Sequence, residues 1–385
     1  MSHARTDKAP PKPPTVLQVL PALGTGGVER GTVEMTQAIT AAGWCALVAS
    51  AGGPRAAQVE RAGGRHITLP LDSRNPLTTW RNIFRLAALI RAEGVDIVHA
   101  RSRAPAWSAW LAARRTGRKF ATTYHGAYGE DFPFKRRYNA IMARGDRVIA
   151  ISRYIAELIG QRHGVGAARI RVIPRGVDTA LFDPAAVTGD RIARLARAWR
   201  LPDGAPVIML PGRLTGWKGQ AVLLDAMARL DRQDAVCVLL GGGKPAAIKA
   251  LTAQAQRLGI AGRVRLPGDC EDMPAALMLA DVVVSASTAP EAFGRVVIEA
   301  QAMARPTIAT DHGGAVETIN HDETGWRIRP NDPAALAEAI AYVLALTPAD
   351  RRMLGARARN WVSLYYTTAQ MQAATMGVYR ELLAT

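Results

Sequence analysis

The sequence predicts an α/β fold with two doubly wound, Rossmann-like domains that face a cleft. Three observations support this prediction. Short apolar runs alternate with helical segments, glycine-rich turns follow several of those runs, and the alternation restarts near the middle of the chain. A length of 385 residues suits two domains of ordinary size, and 49% hydrophobic with 21% charged residues is a globular composition.

The N-terminal half begins with residues 1–14, which are rich in proline and lysine and contain no apolar run. They predict a disordered lead and not a signal peptide. The first Rossmann-like domain is predicted over 15–180, with apolar residues at helical spacing across 77–94. Its predicted strands are the apolar runs at 16–23, 45–50, 67–70, 96–100, 120–125 and 147–152.

The C-terminal half repeats this order after a connection at 172–184. A second Rossmann-like domain is predicted over 181–360, and a helix over 361–385 is expected to pack back on the first domain. Ligands of such sheets bind beyond the carboxyl ends of the strands, so the loops there are the candidate sites. The predicted strands are the runs at 207–213, 235–243, 263–268, 281–287 and 306–311.

Positive charge is concentrated in the first half. The net charge is +17, and residues 101–153 hold twelve lysines and arginines against three acidic residues. Such a region can bind nucleic acid, anionic lipid or an anionic substrate. No DNA- or RNA-reading motif accompanies it, which argues against a nucleic-acid partner.

The three cysteines have no metal-ligand spacing, and an odd number without a pattern suits a reducing compartment. No apolar run reaches the ~18 residues that a membrane-spanning helix needs. A cytoplasmic location is therefore expected. The cysteines are Cys45, Cys237 and Cys270.

The glycine-rich turn at 24–27 follows the first predicted strand and opens a helix, as a phosphate-binding loop does. A dinucleotide fingerprint requires a third glycine where this chain has Glu29, and an acidic residue near the end of the second strand. Both are missing, which argues against NAD. Gly26 and Gly27 still allow a phosphate or a sugar to approach the backbone closely.

The loop at 212–219 follows the first strand of the second half and carries Arg213 and Lys218. A guanidinium and a mobile ammonium suit a diphosphate leaving group, although two solvated cations would look the same in sequence.

Glu291 and Glu299 lie after the strand at 281–287, Glu291 in a loop and Glu299 within a largely buried helix. The helix N-terminus after Phe293 and Gly294 favours a phosphate. The pair could be a catalytic acid and base, a clamp on a sugar nucleotide, or two ordinary charges. His312, after the next strand, could bind a ligand or be a simple loop residue.

Together, these motifs resemble those of the retaining family-4 glycosyltransferases, which have the two-domain fold called GT-B. The similar segments are GGVER at 26–30, Gly212-Arg213 with Lys218-Gly219, the E-x7-E stretch from Glu291 to Glu299, GG-x-x-E after Asp311, and IPRGVD at 173–178. In the last of these segments Arg175 replaces the usual asparagine.

The resemblance implies a role for each matching residue. Glu291 would hold hydroxyls of the donor sugar and Glu299 the ribose hydroxyls. Arg213 and Lys218 would stabilise the departing diphosphate, and His125 would lie at the donor sugar. Gly27 would let the first domain close over the donor. The implied donor-binding residues are Gly26, Gly27, Asp269 at the base, Phe293, Gly294, Arg295 and Glu299.

The implied activity is a retaining, metal-independent transfer of a hexose from a nucleotide sugar, UDP-linked first and GDP-linked next. The acceptor would be a glycan or a lipid-linked molecule such as lipopolysaccharide core or another cell-envelope polysaccharide. The metal-binding D-x-D motif is missing from the sequence, and no cofactor is expected beyond the sugar nucleotide. The alternatives are a sugar-nucleotide 2-epimerase of the same fold and a non-enzymatic nucleic-acid binder.

The segment 132–138 interleaves aromatic and basic residues, a pattern that favours an anionic membrane surface. Peripheral association with the inner face of the cell membrane is therefore a second expectation about location. Solvated charge or contact with a phosphate-rich acceptor is the alternative.

Overall fold

A computed structural model describes residues 12–24, 26–130 and 133–385. The chain forms two compact units. The first contains the described residues up to Ala150 together with Ile159–Arg171 and Gln372–Thr385, and the second contains Ile151–Leu158 and Val172–Met371. The chain therefore first changes unit at 150–151, earlier than position 180. Most of the predicted disordered lead lies outside the described residues.

The first unit is built on a sheet of seven strands. Its first strand is fully buried, which fits an apolar run covered on both faces. In chain order the strands are β1 (Thr15–Val19), β2 (Cys45–Ser50), β3 (Arg65–Thr68), β4 (Ile97–Ala100), β5 (Lys119–Tyr124), β6 (Arg147–Ala150) and β7 (Ile170–Val172).

The spatial order of this sheet is β3-β2-β1-β4-β5-β6-β7, and the neighbouring strands from β3 to β6 pair in parallel. The order reverses between β1 and β4, which defines the switch point of a doubly wound sheet. Six helices of the first half connect or flank the strands. They are α1 (Gly27–Ala41), α2 (Ala56–Arg61), α3 (Pro76–Ala92), α4 (Arg103–Thr116), α5 (Pro133–Asn139) and α6 (Arg153–His163).

The second unit contains a six-stranded sheet with the same kind of winding. Its strands are β8 (Val207–Pro211), β9 (Val236–Leu240), β10 (Val264–Gly268), β11 (Val282–Ser285), β12 (Thr307–Thr310) and β13 (Trp326–Ile328). All pairings in the order β10-β9-β8-β11-β12-β13 are parallel, and the order reverses between β8 and β11. The fold-class prediction of two Rossmann-like sheets is confirmed.

Several helices of the second half begin at a polar residue that is followed by a proline, a strong start signal. Asp272, Asp332 and Thr347 each accept a hydrogen bond from a first-turn amide of the helix that follows. The helices are α7 (Gly189–Ala198), α8 (Gln220–Arg229), α9 (Pro245–Arg257), α10 (Met273–Leu279), α11 (Arg295–Ala302), α12 (Pro333–Ala345), α13 (Pro348–Tyr365) and α14 (Thr368–Ala384).

The end of the chain contributes to the first unit from Gln372 onward, so α13 stays with the second unit and α14 reaches the first. The imidazole of His99, in β4, lies 2.6 Å from the hydroxyl of Tyr379 and 2.7 Å from that of Thr123. Glu381 accepts hydrogen bonds from Arg147 and Arg171. These contacts fix α14 to the sheet. Within the described residues, no helix is long and apolar enough to span a bilayer.

Candidate active site

The carboxyl edge of the second sheet brings together the loops singled out in sequence. The loop at 212–219 follows β8 and the loop at 287–294 follows β11, so the two flank the switch point. This is the place where open α/β sheets bind their ligands. We call Lys218, Ser287, Glu291 and the first turn of α11 the switch-point site.

The loop after β8 owes its shape to Gly219. Its φ of +78° lies in the left-handed region, and a Cβ there would overlap the backbone carbonyl of Ala286. Only glycine combines this conformation with so close an approach. The turn directs the Lys218 side chain toward Glu291, with 2.5 Å between Nζ and Oε1.

Glu291 is a buried carboxylate, with 8% of its surface exposed. The same Oε1 atom accepts a hydrogen bond from the Ser287 hydroxyl at 2.5 Å, and the backbone carbonyl of Glu291 accepts one from Gly314. A buried charge needs such partners. One carboxylate oxygen of Glu291 is therefore held by the loops that follow β8 and β11, and the segment after β12 holds its backbone.

The N-terminus of α11 begins at Gly294, whose φ is +84°, and no side chain caps it. The unpaired amides of a first helical turn, with the helix dipole, form an anion site. Glu299 is buried one turn further on, and the Nε of Arg295 lies 3.4 Å from its Oε1. The structure thus places Glu291 in a loop and Glu299 inside a helix.

Other predicted residues make structural contacts. The Phe293 side chain is buried, with its ring centroid 5.7 Å from that of Tyr366, so only its backbone can face a ligand. His312 donates from Nε2 to the carbonyl of Ser287 at 2.8 Å, which makes it a brace of the β11 loop. Asp269 accepts from the amide of Gly242 at 2.7 Å, and Arg213 is exposed.

Glu317, from the GG-x-x-E segment, has a clear structural contact. Its carboxylate accepts hydrogen bonds from the amides of Arg153 and Tyr154, both at 2.9 Å. These are the first two residues of α6, so Glu317 satisfies orphan donors and complements the helix dipole. The nearby Ser152 hydroxyl donates to the carbonyl of Ala292 at 2.6 Å.

The first unit presents its own candidates at the carboxyl edge of its sheet. Gly26 is the N-cap of α1 and Gly27 its first residue, while His125 directly follows β5. Thr25, between the predicted loop glycines, lies outside the described residues. In the part of the chain that the structure describes, no group of three His, Cys, Asp or Glu side chains is placed to hold a metal ion.

Arg101 was not predicted as a site residue. It follows β4 beside the switch point of the first sheet and is 2% exposed. Burial lowers the pKa of its guanidinium, while Tyr379, Glu34 and Glu29 act in the opposite direction. An arginine directly after the apolar run DIVHA was the available signal, because a buried cation at a strand end has to face a ligand or an acid.

Known proteins identify the family. Residues 25–181 match the model described as Glycosyltransferase Family 4, and residues 192–361 match Glycosyl transferases group 1. A D-inositol 3-phosphate glycosyltransferase from Xylanimonas cellulosilytica is 32% identical over 76% of this chain and 73% of that protein. The chain belongs to the family-4 glycosyltransferases.

Two further relatives agree with this assignment. The crystal structure of a glycosyltransferase from Rickettsia africae ESF-5 matches this GT-B glycosyltransferase with a TM-score of 0.89 and 36% identity, over 96% of this chain and 99% of that one. A GDP-mannose-dependent alpha-(1-6)-phosphatidylinositol monomannoside mannosyltransferase from Mycobacterium tuberculosis is 31% identical over 72% of this chain and 74% of that protein. The protein is a transferase that moves a sugar from a nucleotide sugar.

Proposed function

We propose that this glycosyltransferase transfers a hexose from a UDP- or GDP-linked donor, with retention of configuration and without a metal ion. The acceptor we propose is a glycan or a lipid-linked molecule of the cell envelope, with lipopolysaccharide core as one candidate. The observation that carries the proposal is the switch-point site, where Lys218 pairs with Glu291 in the loop that leads into the N-terminus of α11.

The chemistry of glycosyl transfer fits these groups. As the glycosidic bond breaks, negative charge grows on the leaving diphosphate and positive charge on the sugar. The Lys218 ammonium and the amides that follow Gly294 can stabilise the diphosphate, as preorganised donors do. These fixed positive groups supply the stabilisation that a bound metal would otherwise give.

Retention is proposed from the resemblance to the retaining family-4 glycosyltransferases, and the contacts of Glu291 are compatible with it. One of its oxygens is shared by Lys218 and Ser287, and the carboxylate is held by these bonds. A carboxylate held in this way suits the hydroxyls of the donor sugar better than covalent attack on it. The acceptor would then attack from the face that the diphosphate leaves, and a phosphate oxygen would take the proton.

The relatives narrow the candidate substrates. One is named for GDP-mannose and phosphatidylinositol monomannoside, and another for D-inositol 3-phosphate. Both names contain an acceptor with a phosphate group. The buried Arg101 at the carboxyl edge of the first sheet gives this chain a cation that suits such an acceptor.

Peripheral membrane association is part of the proposal. Phe134 is 76% exposed and Tyr138 is 43% exposed, and both lie on α5 beside Arg136 and Arg137. Aromatic side chains next to cations suit an anionic interface. Sedimentation with neutral and anionic vesicles tests this idea, and equal binding to both, or none to either, would argue against it.

The reaction is tested by donor hydrolysis across UDP-, GDP- and ADP-sugars. One donor class should be turned over, and Lys218→Met should lower kcat/KM for it by about 10²–10³-fold, the usual effect of losing one donor to a transition-state anion. Lys249→Met, an exposed lysine on α9, is the matched control. Full activity in Lys218→Met, or hydrolysis of no donor, would contradict the proposal.

A further inference from the structure

A second concave feature lies in the first unit, at the edge of the sheet opposite to His125. It is a cavity of about 1070 Å³. Its walls include Phe120 at the start of β5 and Asp146 just before β6. The rest comes from α4 and the turn after it, α5, the segment 140–144, and the C-terminal end of α6 with the segment 164–169. Because the strands are parallel, this amino edge is separate from the carboxyl edge where donor and acceptor candidates lie.

The lining of this cavity is strongly basic. Seven arginines line it, and two of them pair with carboxylates outside the lining, Arg118 with Asp96 at 3.6 Å and Arg162 with Glu130 at 3.7 Å. Among the described lining residues Asp146 supplies the single carboxylate. That carboxylate is already used, because one of its oxygens accepts the Phe120 amide at 2.8 Å. We call this cavity the arginine pocket.

Part of the arginine set builds the walls. The guanidinium of Arg136 donates to the carbonyl of Arg162 at 2.6 and 3.1 Å, which joins α5 to α6. Arg169 donates to the carbonyls of Ala143 and Gly145 at 3.1 and 2.6 Å. These bonds to neutral carbonyls fix the cations in position without cancelling their charge.

Other arginines are left to face the opening. Arg114 and Arg144 lie 5.4 and 4.7 Å from the centroid of the Trp110 ring, so one aromatic face orients two guanidinium groups. Arg137 is exposed on α5 and makes no contact with a partner among the described residues. Guanidinium groups held in this way are suited to bidentate bonds with phosphate oxygens.

Five of these arginines make no ion pair among the described residues, and they repel each other because the Debye length is about 8 Å at physiological ionic strength. A ligand with several closely spaced negative charges would remove that repulsion and accept hydrogen bonds from the oriented guanidinium groups. A cavity of about 1070 Å³ is large enough for such a molecule. We propose that the arginine pocket binds a compact anion with two or more phosphate groups, as a free polyphosphate or as a phosphorylated lipid headgroup.

His163 provides a spectroscopic reporter within the pocket. Its Nε2 lies 3.2 Å from the Tyr124 hydroxyl. Burial lowers the pKa of the imidazole, Glu130 raises it, and Arg136 and Arg162 lower it further. A bound anion would favour the protonated ring, so its pKa should rise on binding.

Calorimetric titration of the full chain with tripolyphosphate tests the proposal. Saturable binding is expected, and Arg137→Gln/Arg144→Gln should weaken it by at least about tenfold, because two charge-assisted contacts are lost. The control Arg61→Gln/Arg74→Gln removes the same charge from exposed sites outside the pocket and should bind as the wild type does. Equal weakening by both pairs would overturn the proposal.

Vesicles that contain phosphatidylinositol bisphosphate, whose headgroup carries more than one phosphate, separate the two sources of phosphate. If the protein sediments with these vesicles and tripolyphosphate displaces it, the lipid headgroup is the ligand of the arginine pocket. If tripolyphosphate binds by calorimetry but the protein does not sediment with the vesicles, the ligand is a free anion. Absence of both kinds of binding, or no rise in the pKa of His163 by NMR with tripolyphosphate, would overturn the proposal. The single variant Arg137→Gln repeats the comparison if the loss of Arg144 disturbs folding. Donor hydrolysis should stay unchanged in Arg137→Gln/Arg144→Gln and in Arg137→Gln, which separates this test from that of the transfer reaction.

Discussion

The switch-point site and the arginine pocket both concentrate positive charge, but they balance it differently. At the switch point, Lys218 pairs with Glu291 and Arg295 with Glu299, so each cation has an acidic partner. In the pocket, only two of the seven arginines pair with an acidic side chain among the described residues. The paired cations can release their carboxylate for a diphosphate, whereas the five other arginines are suited to retaining an anion.

The largest effect on stability is expected from Lys218→Met, which leaves the buried Glu291 charge with the Ser287 hydroxyl but without its cation. We expect the free energy of unfolding to fall by about 1–3 kcal/mol, the usual cost of an unpaired buried group. Urea denaturation measures it. Adding Glu291→Gln should recover part of the loss, and an additive double variant would show that the pair does not couple.

A smaller effect should separate the two glutamates by ligand. Glu299→Gln is expected to weaken nucleoside diphosphate binding by about tenfold, because it removes the charge-assisted contact that we propose between Glu299 and the ribose. Glu291→Gln should leave that affinity nearly unchanged while transfer of the sugar is lost. Calorimetry with UDP and GDP measures both, with the exposed Glu338→Gln on α12 as control. An unchanged affinity of Glu299→Gln for UDP and GDP would contradict the proposed contact of Glu299 with the ribose.

Removing charge from the arginine pocket should raise the stability of the fold, whereas Lys218→Met lowers it. Without an anion, Arg137→Gln/Arg144→Gln relieves repulsion between like charges, and we expect Tm to rise by about 1–3 °C at low ionic strength. High salt should abolish the gain because it screens the charges. Thermal shift assays at two salt concentrations measure this. A decrease in Tm at low salt would show that the arginines are held for stability.

The smallest effect concerns Glu381, a partly exposed carboxylate held by Arg147 and Arg171. Hydrogen bonds from Arg147 and then Arg171 lower the pKa of this carboxyl from 4.5 to about 2. A carboxyl with a lowered pKa stabilises the fold above its ordinary value, and this contribution is lost as the pH falls from 4.5 toward 2. Glu381→Gln should lower Tm by about 1 °C at neutral pH, and the difference should vanish near the acid end of a pH series.

Most strands could be predicted because their apolar runs are long enough to be recognised in the sequence. β7 and β13 were not, since each has three residues at the edge of its sheet and produces no apolar run. The position of α14 was harder still. The sequence indicates one helical stretch to the end, and the break at Tyr366 that separates α13 from α14 depends on a bridge between Val177 and Thr367.

The sequence predicted which loops form the site, but it did not predict which side chains in those loops contact each other. Parallel winding places the ends of β8 and β11 together, so the neighbourhood of Lys218 and Glu291 follows from topology. Their bond joins residues 73 positions apart and depends on the conformation of Gly219. The inward packing of Phe293 and the bracing role of His312 depend on tertiary neighbours that no local pattern contains.

The contact between His99 and Tyr379 also has a consequence for the order of synthesis. Residues 372–385 leave the ribosome after the whole of the second unit, yet they complete the first. Until then the His99 imidazole in β4 has the Thr123 hydroxyl beside it but not that of Tyr379. We therefore expect the first unit to be completed only after the second has been made, and loss of the final helix to destabilise the half of the protein that was made first.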